Sequence, residues 1–229
     1  MKKFLVFCVF LLSLYSSHGQ NDTVHFEINF TFNKEDLQLN KYYLLNGTDS
    51  VEINTLKFYI SAISLLHNGE TVWKEANSFH LIDAELNKST KFDLAVKEGV
   101  IYDKFRFNLG IDSLTNVSGA MGNDLDPSKN MYWTWQSGYI NFKLEGRSNV
   151  CLARKNEFKF HLGGYQFPYN CIQQVEFTLP QPDLIHLQID LAEIISELRF
   201  GELDHIMSPS FSAMELSSSI AKKIRLRIP

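Results

Sequence analysis

Phe26, Ile28, Phe30 and Phe32 recur at every second position, with His25, Glu27, Asn29 and Thr31 between them. A two-residue period belongs to a strand with one buried face; on a helix the apolar residues would return every three to four positions. Similar patterns occur at Leu56 to Leu65, Phe79 to Ile82, Tyr102 to Leu109, Tyr139 to Leu144, Phe158 to Leu162, Val175 to Leu179 and Ile185 to Leu191. Eight such segments, separated by Gly, Asn, Asp and Pro, predict an all-β chain folded as an antiparallel β-sandwich. Eighteen Phe, nine Tyr and three Trp suit half-buried pleated surfaces and favour strand over helix. Leu191 to Phe200 and Ser212 to Ile224 instead keep a helical period, the second with Met214, Leu216, Ile220 and Ile224 apolar. They predict one or two short helices near the C-terminus. Asp112 to Asn130, rich in Gly, Asn, Ser and Asp, reads as one long loop of the kind that carries function on a sandwich.

Lys2 and Lys3 precede an almost wholly apolar run, Phe4 to Tyr15, about half the length needed to span a bilayer. With small residues at Ser17 and Gly19, residues 1–19 read as a signal peptide and 20–229 as a single sandwich domain. Cys8 lies inside the apolar run rather than after it, so no lipoprotein is expected, and no later run is long enough for a transmembrane segment. The expected product is periplasmic or secreted. Lys plus Arg number 22 against 26 Asp plus Glu, a net charge of −4, which leaves no basic surplus for a nucleic-acid partner. In an oxidising compartment the remaining pair, Cys151 and Cys171, is expected to form a disulfide. Closing that loop would stabilise by roughly 3 kcal/mol in the chain-entropy model.

Beyond the leader the histidines are His25, His67, His80, His161, His186 and His205, and no HExxH, HxxxH or CxxC places two ligands side by side. Any metal site must be assembled from separate strands. His25, His161 and His186 occupy the polar phase of alternating strands, where a solvated side chain is the ordinary outcome. His161 carries more weight, because it stands between core-facing Phe160 and Leu162 and is followed by Gly163 and Gly164. Trp133 and Trp135, two apart, would share one strand face and form an aromatic platform for core packing or for stacking on a carbohydrate. One of them could also lie beside a redox metal. His205-Ile-Met207 adds a thioether two residues from an imidazole, a pairing that suits copper better than calcium or magnesium. Asn123-Asp-Leu-Asp-Pro127 lacks the further acids of an EF-hand and reads as turn chemistry. Five Asn-x-Ser/Thr sequons begin at Asn21, Asn29, Asn46, Asn87 and Asn116. There is no Gly-x-Ser-x-Gly elbow and no motif that places a pair of acids, so a binding protein is expected rather than an enzyme.

Leu125-Asp-Pro127, Met131-Tyr-Trp-Thr-Trp-Gln-Ser-Gly-Tyr139, Lys143-Leu-Glu-Gly146 and Phe160-His-Leu-Gly163 together resemble the MbnP family of methanobactin-associated, secreted copper-binding proteins. Leu56-Lys-Phe-Tyr-Ile-Ser61, His80-Leu-Ile-Asp83 and Phe107-Asn-Leu-Gly110 agree with it, so the likeness covers most of the chain. The resemblance implies an exported β-sandwich holding copper through two histidines and a tryptophan oxidised to kynurenine. A di-haem peroxidase-like protein performs that oxidation in some relatives, and an outer-membrane uptake system is a further implied partner. Carried over by motif, His161 is one ligand and Trp133 or Trp135 the indole, while His80 and His25 are both candidates for the second histidine. Imidazoles beside an aromatic wall would favour Cu(I), held for sequestration or delivery. A metal-free surface module that stacks Trp133 and Trp135 on a glycan is the alternative.

Overall fold

The structure, a computed structural model, describes residues 21–136, 138–179 and 184–227; the expected signal peptide lies outside the described residues. Two sheets face each other across one apolar core. The smaller, five-stranded among the described residues, is built on Asn21–Phe32, which pairs with Leu184–Asp190, Lys91–Lys97 and Glu35–Asp36, with Ile224–Leu226 at the far edge of Leu184–Asp190. The larger is built on the long strand Ser50–His67. One edge of that strand pairs with Gly138–Ser148 and then Lys104–Leu109, the other with Tyr42–Leu44, Phe79–Asp83 and Glu70–Lys74. Glu157–Gly163 and then His205–Ile206 extend the sheet beyond Gly138–Ser148, and Gln173–Thr178 extends it beyond Lys104–Leu109.

Alternation does the sorting. Val24, Phe26, Ile28 and Phe32 meet Phe58, Phe105, Phe142, Phe158 and Phe160 in the core, with Phe26 stacked on Phe92 at 4.4 Å and Phe58 on Phe142 at 5.6 Å. The residues of opposite phase in the larger sheet do not simply face water. Tyr59, Leu81, Tyr139 and Ile140 form a second apolar cluster on its outer face, closed over by Ile111, Leu125, Met131 and Trp133. The segment expected as one loop therefore acts as a lid on a small second core. It carries a helix at Ser113–Val117, capped by Asp112, and single turns at Asn123–Leu125 and Pro127–Lys129.

All eight expected strands are present, and the all-β sandwich stands; most pairings are antiparallel. Among the described residues two are not: Asn21–Phe32 runs parallel to Leu184–Asp190, and Glu157–Gly163 runs parallel to His205–Ile206. Leu191–Ile195 and Phe211–Ala221 are the two helices near the C-terminus, capped by Asp190 and Ser210. Ile224, expected on the second helix, instead begins the strand Ile224–Leu226. No helix among the described residues is long and apolar enough to cross a membrane.

The expected disulfide is not formed: Cys151 and Cys171 are both free and buried. The Cys151 thiol lies 3.0 Å from the carbonyl of Glu157 and the Cys171 thiol 3.1 Å from that of Gly163, at opposite ends of one strand. Six residue steps along a strand span roughly 20 Å, whereas a bridge needs Cα atoms within about 7 Å. Burial pushes both thiols up, Cys171 to about 11, which keeps them protonated.

Candidate metal centre

On Glu157–Gly163, Phe158, Phe160 and Leu162 enter the core, so Lys159, His161 and Gly163 take the outer face. The neighbouring strand places Lys143 opposite His161 and Glu145 opposite Lys159. Glu145 Oε1 lies 2.6 Å from His161 Nε2 and 3.6 Å from Lys143 Nζ. The hydrogen bond from His161 holds the Glu145 carboxyl down at about 2, with the Lys143 charge adding to it and burial opposing it. An ionised carboxylate only accepts, so Nε2–H is the donor and Nδ1 is the ring's remaining ligand atom. His161 itself is only 6% exposed. A carboxylate fixing the orientation and tautomer of a buried imidazole is the arrangement found behind metal-ligating histidines.

Two residues along the same face, Gly163 lets an indole come close: a Cβ there would lie 2.6 Å from the Tyr139 carbonyl and 2.8 Å from the Trp133 ring. Trp133 is 5% exposed, and its Nε1 has no hydrogen-bond partner among the described residues. The two indoles do meet, but not as neighbours on one strand face. The strand Tyr132–Trp133 ends in a turn, so the period of two stops there; Trp135 is 64% exposed, its ring 5.8 Å from that of Trp133 and tilted by 43°. Beside Trp133, the hairpin formed by Tyr165–Gln166 and Tyr169–Asn170 closes a pocket of about 290 Å³ lined by aromatic, amide, proline and glycine residues, with no charged side chain.

His25 and His80 are not brought to His161. His25 lies on the outer face of the smaller sheet, its Nδ1 2.8 Å from Asp93. His80 shares the phase of core residue Ile82; it stacks on Phe92 at 4.0 Å between the sheets, with Nε2 2.8 Å from Glu75. His205 is bound to Asp204 at 2.7 Å. Burial lowers the pKa of His186, on the smaller sheet, and its Nε2 is buried without a partner among the described residues. No group of three or more His, Cys, Asp or Glu side chains suited to a metal occurs among the described residues. His161, His80 and His25 thus lie on different faces of the sandwich rather than around one point.

The family model of MbnP matches residues 21–209. The chain belongs to the MbnP family. Its fold is similar to the solved structure of MbnP from Methylosinus trichosporium, with a TM-score of 0.61 and 14% identity over 83% of this chain and 82% of that one. No curated protein matches the chain. In this MbnP-family chain the motifs that carried the resemblance meet on the outer face: Leu-Glu-Gly supplies Glu145, His-Leu-Gly supplies His161 and Gly163, and Trp-Thr-Trp supplies Trp133. The roles of Glu145 and Lys143 were not legible beforehand, because a cross-strand partner is defined by register. Asn116, which ties the lid to the sheet, was visible only as a sequon.

Proposed function

We propose that the chain is an exported copper-binding protein that sequesters or delivers copper, with His161 as its anchoring ligand and Trp133 as an adjacent apolar wall. The observation that carries this reading is the buried His161 imidazole, oriented through Nε2 by Glu145 at 2.6 Å. Membership of the MbnP family supports it. An imidazole beside apolar and aromatic surface favours Cu(I) over harder ions. Residues 1–19 would direct export, and an outer-membrane uptake system or a di-haem peroxidase-like protein would be the partner in trafficking. Binding rather than catalysis is the role.

His161→Ala is expected to weaken Cu(I) binding at least about 100-fold, or roughly 2.7 kcal/mol, in an anaerobic competition assay against a chromophoric chelator. The fold should survive, because Glu145 keeps its Lys143 partner. Unchanged affinity in a folded variant would remove His161 from the site. A second reading, recognition of a neutral glycan, is favoured by the uncharged aromatic and amide pocket beside Trp133. Screening immobilised neutral oligosaccharides alongside the copper assay separates the two.

A further inference from the structure

One imidazole does not hold copper by itself, and the strand register beside His161 points to a second soft donor. His205–Ile206 runs parallel to Glu157–Gly163, with Lys159 opposite His205 and Phe160 opposite Ile206. Carried one residue further, that register sets Met207 opposite His161. The chains stay together beyond this point: a Cβ on Gly164 would lie 3.0 Å from the Pro209 side chain. The phase agrees as well. Ile206 and Phe160 are both buried in the main core, so the residues that follow them, Met207 and His161, fall on the same outer face.

We propose that Met207 supplies a thioether ligand to Cu(I) at His161, making a His–Met site on the outer face of the larger sheet. The inference rests on the copper reading and names the donor that reading lacks. Cu(I) accepts few ligands and prefers soft ones, and thioether and imidazole are both neutral. Glu145, the acid nearest His161, is engaged by His161 and by Lys143, so the local charges offset one another. A monovalent ion adds less charge to this part-buried face than a divalent one. Met207 is unbranched and about half exposed, free to swing onto an ion without disturbing the core. The cysteines are poorly suited: the Cys151 and Cys171 thiols are buried, lie against carbonyl oxygens and are held protonated. His205, on the same face, is tied to Asp204 and pairs in register with the cationic residue Lys159.

The test uses the full mature protein, Met207→Leu, and His205→Ala as a control, each titrated anaerobically with Cu(I) against a chelator and examined by X-ray absorption at the copper edge. Wild type should bind one Cu(I) with one sulfur scatterer. Met207→Leu should lose that scatterer and bind on the order of 10- to 100-fold more weakly, while His205→Ala should match wild type. Copper bound by wild type without sulfur, or undiminished affinity in Met207→Leu, would overturn the Met207 assignment and leave the copper reading standing. A fall in affinity for His205→Ala with none for Met207→Leu would move the second ligand to His205. Absence of Cu(I) binding by wild type would overturn both.

Discussion

Gly146→Ala is expected to lower the unfolding free energy by about 3 kcal/mol, read as a fall of roughly 6–12 °C in Tm for a chain of this size. Gly146 sits in the Leu-Glu-Gly motif, between the long strand and Glu157–Gly163, where the register shifts after Glu145. A Cβ there would lie 2.1 Å from the backbone carbonyl of Glu52 and 2.6 Å from the Phe158 ring. A carbonyl in a strand ladder cannot swing aside as a side chain would, so the strands must part. Glu145, the preceding residue, would be displaced with them, and Cu(I) affinity should fall along with stability. Gly201→Ala, at a position with open space around it, should change stability by less than about 0.5 kcal/mol. Equal effects at the two positions would show that close strand approach at Gly146 does not govern the fold.

Asn116→Ala is expected to cost about 3 kcal/mol in urea unfolding. The side chain is 2% exposed. Its Nδ2 donates to the carbonyls of Ile111 at 3.0 Å and Asp112 at 2.9 Å, and its Oδ1 accepts from Tyr139 N–H at 2.8 Å. Alanine would leave the buried Tyr139 N–H and the Ile111 carbonyl unpaired, and an unsatisfied buried group costs about 1–3 kcal/mol. The lid is also pinned by the Tyr59 hydroxyl donating to the Asp124 carbonyl and by the Tyr139 hydroxyl accepting from Met121 N–H. Asn46→Ala, on an exposed sequon residue, should leave stability within about 0.5 kcal/mol of wild type. A cost at Asn116 as small as that at Asn46 would contradict the view that the lid is clamped through this amide. With its side chain buried, Asn116 is also closed to glycosylation in the folded protein.

Strand positions were legible because one buried face imposes a period of two, as the phenylalanines of Asn21–Phe32 show. Lys91–Lys97 had the same signature in Phe92, Leu94 and Val96 and could have been read the same way. Strand direction was not legible: nothing local marks Leu184–Asp190 as parallel to the first strand. The cysteines misled because an even count carries no distance, and the ends of one strand separate Cys151 from Cys171. Trp135 misled because the alternation was extended through a turn. His161 was legible from its phase and its glycine neighbours. Its partner Glu145 lies on another strand, sixteen residues away, and only the register joins them.

Copper held at His161, on the outer face of the larger sheet, is the proposed role of this MbnP-family chain. Anaerobic Cu(I) competition titration of the protein purified from its native host is the decisive measurement. Tight one-to-one binding that draws copper from the competing chelator is expected. A chelator that keeps all its copper at every protein ratio would rule out the copper site.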